Sequence, residues 1–246
     1  MQRRFLAHLS ASFNGVWLGL MDREALDLID ETYYENKPHY VDEAYNTSGL
    51  RDWEARMIDE HFPRSGRVVV TATGGGREVV ALLDRGYDAV GYEPNIELLD
   101  AAAKMLERRG QRARVHAVER DVFPPDAGPC DAVIVGWGSY MLIPGRDQRI
   151  EFLRGARSVL PADGPILLSF FTRSPQARTF TTTARVANVM RLLRRLPRVD
   201  VGDALGPNYT HYFTRAEIDS ELDAAGFRLV AYDEEPYGHA VGRAAG

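Results

Sequence analysis

The spacing of the apolar residues changes near residue 67. Before it, apolar side chains recur every three or four positions in residues 22–34 and again in residues 50–61, which predicts two helices. Residues 1–20 are less regular and are expected to form an irregular or helical arm. Residues 1–64 are therefore predicted to form a helical N-terminal arm and cap.

After residue 65, short apolar runs alternate with amphipathic segments. Strands are predicted at residues 68–72, 89–92, 113–117, 132–135 and 165–171, and helices at 78–84, 95–109 and 149–160. The run at 132–135 is apolar throughout, as in a strand buried on both faces. This order predicts an α/β fold with a doubly wound, mostly parallel seven-stranded sheet.

Two later segments interrupt this alternation. Residues 174–209 contain a predicted helix at 182–196, and we expect them to form a helical insertion between strands five and six that serves as a substrate lid. Thr214 and Glu217 form a capping box for one more helix, which ends at Gly226. Residues 227–232 and 237–241 then predict an antiparallel C-terminal ending for a Rossmann-like domain over residues 65–246.

Composition narrows the class of protein. The net charge of -5 argues against a nucleic-acid partner, because phosphate binding favours a basic surplus. The single cysteine, Cys130, excludes an internal disulfide. No apolar run reaches the roughly 18 residues of a membrane span, and the N-terminus lacks a clean export signal. We therefore expect a cytoplasmic protein without a membrane partner, and the aromatic residues of the N-terminal arm permit a homodimer.

A glycine-rich turn follows the first predicted strand and precedes a helix. It contains Thr73, Gly74, Gly75 and Gly76. Glycine tolerates positive φ and lets a ligand approach the backbone near a helix N-terminus. Such a turn alone indicates a nucleotide site only weakly, because a plain tight turn has the same composition.

Two acids strengthen this interpretation. Glu93 ends the next strand, 19 residues after Gly74, and Asp121 follows the third strand. At the carboxyl edge of a parallel sheet these side chains would accept hydrogen bonds from ribose hydroxyls and from an adenine amino group. Each acid also has a structural alternative, Glu93 as a helix-entry residue before Pro94 and Asp121 as a solvated loop acid.

From residue 67 to Gly246 the chain resembles the class I S-adenosylmethionine (SAM)-dependent methyltransferases. Residues 71–77 are similar to the family's glycine-rich first motif, residues 120–123 to its adenine-side motif, residues 130–140 to its fourth motif and residues 160–168 to its late strand segment. The resemblance implies S-adenosyl-L-methionine as cofactor. The residues that it implies for cofactor binding are Thr73, Gly74, Gly75, Gly76, Glu93, Pro94, Asp121, Val122, Gly136 and Trp137.

The first motif departs from the family pattern at two positions. Val70 replaces the usual acid, and Ala72 replaces the first glycine. The lost carboxylate often organises the methionine end of the cofactor, so Arg77 or Arg51 is expected to compensate. A NAD-dependent reductase is the main alternative, but the antiparallel ending and Asp121 favour a methyltransferase.

Candidate catalytic and substrate residues are few. His211, in a predicted loop, is a candidate general base, and Tyr140 follows the fourth strand on the expected substrate side. Tyr40 and Tyr45 belong to an aromatic stretch of the cap that could contact substrate. No cluster of residues has metal-ligand spacing, so no metal is expected.

Four arginines, among them Arg194 and Arg195, share one face of the predicted lid helix. They would form either a solvated surface or an anion-binding wall. The sequence thus favours methyl transfer to a small polar, even anionic, molecule such as a natural product or saccharide, most simply at oxygen by in-line displacement. Methylation of RNA or protein, and a non-catalytic SAM-binding role, are the alternatives.

Overall fold

The computed structural model describes residues 2–35 and 37–246; residues 1 and 36, within the predicted cap, lie outside the described residues. The N-terminal part is helical. It comprises α1 (Gln2–Leu20), α2 (Arg23–Glu35), α3 (Glu43–Asn46) and α4 (Asp52–His61), with a 3-10 turn at Pro38–Tyr40. The arm at residues 2–20 is a regular helix.

The rest of the chain alternates strands and helices. The strands are β1 (Arg67–Thr71), β2 (Asp88–Glu93), β3 (Val115–Ala117), β4 (Ala132–Val135), β5 (Pro165–Thr172), β6 (Asp203–Leu205), β7 (Tyr209–Phe213), β8 (Phe227–Asp233) and β9 (Gly238–Ala244). The helices are α5 (Arg77–Asp84), α6 (Ile96–Arg108), α7 (Arg146–Val159), α8 (Arg178–Arg194) and α9 (Arg215–Ala224).

The sheet confirms the predicted α/β class. Its path is β3-β2-β1-β4-β5-β7-β6, and the first five strands on this path are parallel. Strand β9 runs antiparallel to β5, and β8 runs antiparallel to β9, as expected for the C-terminal ending. Helix α8 lies between the fifth and sixth strands of the chain, where the helical insertion was predicted.

The strand count is a correction: the described residues form nine strands, not seven. The additional pair is the β6–β7 hairpin. Strand β9 covers β5 from Pro165 to Phe170, so Phe171 and Thr172 remain free to pair with β7. Polar residues such as Asn208 and His211 interrupt the apolar pattern of a strand, so the sequence predicted a loop here.

Helices α1 and α8 pack closely against each other. Gly15 and Gly19 make this possible, since a Cβ atom at either position would collide with the α8 backbone at Thr183 or Ala187. The opposite face of α1 carries Phe13 and Trp17, which are 66% and 46% exposed. These are the aromatic residues behind the homodimer prediction, which stays a prediction. Among the described helices, none combines the length and the apolar character that a membrane crossing requires.

Candidate active site

A cavity of about 260 Å³ lies at the carboxyl edge of the sheet, beneath the cap. Ten of the predicted site residues line it: Tyr40, Tyr45, Thr73, Gly74, Gly75, Glu93, Pro94, Asp121, Val122 and Trp137. Gly76 and Gly136 lie behind this surface. Gly76 begins α5 with φ 96°, and a Cβ atom on Gly136 would strike the carbonyl oxygen of Ala72.

The glycine turn is held in left-handed backbone conformations. Ala72, Gly74 and Gly76 have φ values of 48°, 57° and 96°. Ala72 therefore adopts the conformation for which the family motif has glycine, at a cost of roughly 1 kcal/mol. At Gly75 a Cβ atom would collide with the Asn46 side-chain amide, so the cap sits directly on the turn.

Glu93 connects this turn to β2. It is 4% exposed, and its carboxylate accepts hydrogen bonds from the backbone N–H groups of Gly74 at 2.7 Å and Asn95 at 2.9 Å. Burial raises the pKa of Glu93 to about 7, although these two bonds oppose the shift. The N-cap residue of helix α6 is Asn95, whose side chain accepts a hydrogen bond from the Leu98 N–H. Glu93 is therefore left to act as an acceptor at the cavity.

Ion pairs connect helix α2 to the loop that follows β3. Arg23 pairs with Asp121, and Arg120 donates to Asp30 at 2.5 Å. Asp30 also accepts from the Asn208 side chain at 2.6 Å. The cap, the sheet edge and the segment before β7 thus meet at one buried carboxylate. Sequence reasoning missed Asp30, because it lies on an ordinary amphipathic helix without a motif.

Tyrosines form the cap side of the cavity. Ring centroids of Tyr33 and Tyr34, Tyr34 and Tyr40, and Tyr40 and Tyr45 are 5.3, 5.4 and 5.7 Å apart. Burial raises the pKa of Tyr40 to about 12 and that of Tyr34 well above its usual value. These phenols stay protonated at neutral pH, so they offer hydrogen-bond donors and aromatic faces rather than basic oxygens.

A buried cluster of three charged side chains, Glu54, Arg77 and Glu78, lies beneath the glycine turn. All three are at most 5% exposed. Arg77 donates to both Glu54 oxygens at 2.7 and 2.6 Å, to Glu78 at 2.6 Å and to the Gly49 carbonyl. Its guanidinium is thus fully engaged, which argues against the expectation that Arg77 compensates for Val70.

Several polar atoms near the turn lack partners. The hydroxyls of Thr71 and Thr73 are buried, line the cavity and have no hydrogen-bond partner within the described parts of the chain. Arg51, the other expected compensator, stacks on Trp137 at 4.7 Å and donates to the Tyr45 hydroxyl at 3.3 Å. The Nε atom of Arg51 is likewise buried and unpaired among the described residues. This donor set suits a polar ligand group.

The two predicted catalytic residues lie outside the lining of this cavity. Tyr140 is fully buried, and its hydroxyl donates to Glu221 at 2.6 Å. His211 bonds Asp203 at 2.6 Å behind β7. Because side chains alternate along a strand, Thr210 and Tyr212 face the cavity and His211 faces away. Residues 208–213 were predicted as a loop, whereas Tyr209–Phe213 form β7, and this strand sets the direction of His211.

The arginine face of α8 lies away from the cavity. Arg191 donates to the carbonyls of Leu18 and Met21, and Arg194 donates to that of Leu20. Arg195 ends α8 with φ 56°. Arg194 and Arg195 both lie outside the cavity lining. Backbone carbonyls at a helix C-terminus lack intrahelical donors, and Arg191 and Arg194 supply hydrogen bonds to those at the end of α1.

Asp200, Asp203 and His211 bring potential metal-ligand atoms within 4.8 Å of one another. This group is not apparent from the sequence, because Asp200 and His211 are eleven positions apart and β6 lies between them. Asp203 and His211 already bond each other, and Tyr209 also donates to Asp203 at 2.7 Å. The His211 hydrogen bond and charge lower the pKa of Asp203, although burial opposes this shift.

Comparison with known proteins gives this arrangement a context. No protein-family model matches the chain. A stretch of 155 residues is 27% identical to the glycine/sarcosine N-methyltransferase of Aphanothece halophytica, covering 58% of this chain and 57% of that enzyme. The chain therefore spans less than two thirds of that relative's length.

Solved structures resemble the whole chain more broadly. The CcbJ methyltransferase from Streptomyces caelestis superposes with a TM-score of 0.62 at 17% identity, covering 88% of this chain and 100% of that one. The 1,6-didemethyltoxoflavin-N1-methyltransferase of Burkholderia thailandensis gives 0.63 at 16% identity, covering 92% of each. The chain therefore shares the fold of these methyltransferases, as the resemblance drawn from the motifs implied.

Proposed function

We propose that the protein is a SAM-dependent methyltransferase that acts on a small polar molecule. One observation carries the proposal: the glycine turn, the buried Glu93 carboxylate and Asp121 line a single cavity at the carboxyl edge of the sheet. Nucleoside ligands of open α/β sheets bind at that edge. The small-molecule choice follows from the cap, which covers the cavity with tyrosines and the Asn46 amide.

The lining suits each part of the cofactor. Glu93 would accept hydrogen bonds from the ribose hydroxyls, and Leu98 and Val122 would flank the base near Asp121. The unpaired hydroxyls of Thr71 and Thr73 are available to the methionine end. Arg51 lies behind the lining residues Tyr45 and Trp137, which it contacts, and is our candidate for the cofactor carboxylate. When bound, SAM supplies a methyl group activated by its sulfonium.

The acceptor would lie between the cap and the β5–β7 edge. The residues that line this part of the cavity include Tyr45, Phe171, Tyr212 and Asn208. Among the described residues, the lining arginines are Arg77 and Arg120, and both pair with carboxylates. This favours a neutral or cationic substrate over the anionic one that the arginine face suggested.

The two candidate acceptors are an oxygen on a natural product or saccharide, which is the first, and a nitrogen, which is the second; they are not ranked by the fold. The position of His211 and Tyr140 outside the cavity lining favours the second. An alcohol needs a general base, whereas a neutral amine attacks through its own lone pair. The partial match to an N-methyltransferase agrees with this alternative.

The test is calorimetry with SAM and S-adenosylhomocysteine (SAH) on wild type and Glu93→Ala. We expect at least about tenfold weaker binding in the variant, because it loses charge-assisted bonds to the ribose. Absence of binding to wild type, or equal binding by both, would refute the cofactor site. Mass spectrometry after incubation with methyl-labelled SAM and panels of amines and alcohols then identifies the acceptor class.

A further inference from the structure

The unequal charge of the Glu54–Arg77–Glu78 cluster requires an explanation. Two carboxylates share one guanidinium, and all three groups are buried. Burial raises the pKa of Glu78; Arg77 opposes this shift, and the neighbouring Glu54 reinforces it. Net charge in a low-dielectric interior is unfavourable unless a counter-charge compensates for it. The cluster is therefore short of one cation.

Glu78 is the member of the cluster that reaches the cavity. It lies in the first turn of α5, two residues after Gly76, and lines the cavity beside Trp137. Its carboxylate accepts from Arg77 and, at 3.4 Å, from the Trp137 N–H. Glu54 is held by Arg77 and by the Arg51 N–H, and it is not part of the main cavity lining. A cation that entered the cavity would therefore meet Glu78.

A second observation indicates a polar ligand at the same place. The Thr71 and Thr73 hydroxyls are both at most 3% exposed, both line the cavity, and neither has a partner within the described residues. Buried hydroxyls are normally hydrogen-bonded. Val70, where the family carries an acid, is fully buried in the apolar core and offers no polar atom there.

We infer that Glu78 binds the α-ammonium of the cofactor's methionine tail and so replaces the missing first-motif acid from the following helix. The inference rests on the proposed function, since SAM or SAH brings the ammonium. The Thr71 and Thr73 hydroxyls complete this polar subsite. Ammonium binding also compensates for the second carboxylate of the cluster.

The test compares two ligands that differ in the tail. SAH carries the ammonium and carboxylate, whereas 5′-methylthioadenosine has the same nucleoside without them. By calorimetry, Glu78→Gln should weaken SAH binding by roughly 10- to 100-fold, the effect of losing a hydrogen bond to a charged group. Binding of methylthioadenosine should change by less than about threefold. Glu93→Gln, the matched control, should weaken both ligands alike.

The outcomes separate the inference from the proposed function. If wild type binds neither ligand, the proposed function fails. If wild type binds both and Glu78→Gln leaves their affinity ratio unchanged, only the assignment of Glu78 fails. It also fails if Glu54→Gln lowers the ratio as much as Glu78→Gln, because the cluster's net charge would then suffice.

Should Glu78→Gln fail to fold, Glu78→Asp, which withdraws the carboxylate by one methylene, takes its place in the two-ligand comparison.

Discussion

Two buried arginines occupy contrasting surroundings. Arg149, on α7, donates hydrogen bonds to both carboxylate oxygens of Glu221 on α9 at 2.7 to 3.1 Å, and both side chains are 1% exposed. Tyr140 donates to the same carboxylate. Arg77 instead serves two carboxylates at the edge of a cavity. The first group is balanced and remote from the cavity, whereas the second is unbalanced and borders it.

The difference separates structural from binding roles for buried charge. A matched ion pair with satisfied hydrogen bonds holds two helices in register and leaves nothing for a ligand to bind. An unmatched carboxylate beside a cavity stays unfavourable until a ligand supplies the opposite charge. The half-exposed Asp200, 3.5 Å from Arg149, is screened by solvent and does not unbalance the first group.

The largest expected effect is on stability. Glu221→Gln leaves the buried Arg149 with only the more exposed Asp200, 3.5 Å away, as a counter-charge, and should lower the free energy of unfolding by about 3–5 kcal/mol, measured by urea denaturation. Glu78→Gln should cost much less, because Arg77 keeps both bonds to Glu54. If Glu78→Gln proved the more destabilising of the two, the contrast between the arginine groups would be wrong.

Tyr140→Phe should have a smaller effect. It removes one hydrogen bond to the Glu221 carboxylate and should cost about 2 kcal/mol by the same measurement. SAH affinity should be unchanged, because Tyr140 lies outside the cavity. If the variant had normal stability but weakened SAH binding, Tyr140 would belong to the cofactor site and the prediction would be wrong.

The smallest expected effect is a pH dependence at the cavity. The pKa of Glu93 is raised to about 7, so its carboxyl is mostly protonated at pH 6 and ionised at pH 8. Ribose hydroxyls donate to the ionised form, so SAH affinity should rise about tenfold from pH 6 to pH 8. Glu93→Gln should abolish this rise, and a persistent rise would assign it to another group.

The same raised pKa affects stability with the opposite sign. A carboxyl whose folded pKa exceeds its unfolded pKa holds its proton more tightly in the folded chain. The contribution of Glu93 to stability is therefore full below pH 4.5 and is lost as the pH rises towards 7. Cofactor binding and apo stability should consequently change in opposite directions across this range.

Predictions succeeded where local sequence constrains the backbone. The glycine turn needs left-handed φ values, and Glu93 and Asp121 follow predicted strands directly, so alternating strands and helices suffice to bring them to one edge. The structure departs from the expected placement where a short strand or a distant helix decides the direction of a side chain. His211 depends on the β5–β7 pairing, and Arg194 depends on the packing of α8 against α1.

The sequence by itself determined the fold class, the antiparallel ending and the edge of the sheet at which the glycine turn, Glu93 and Asp121 meet, because apolar periodicity and turn chemistry are local properties. Only the tertiary structure decided which charges are matched. Glu54 and Glu78 are 24 positions apart and meet at one guanidinium, while Tyr140 and Glu221 meet across 81 positions. Burial and pairing depend on such distant neighbours, so a carboxylate's role follows from its surroundings rather than from its position in the chain.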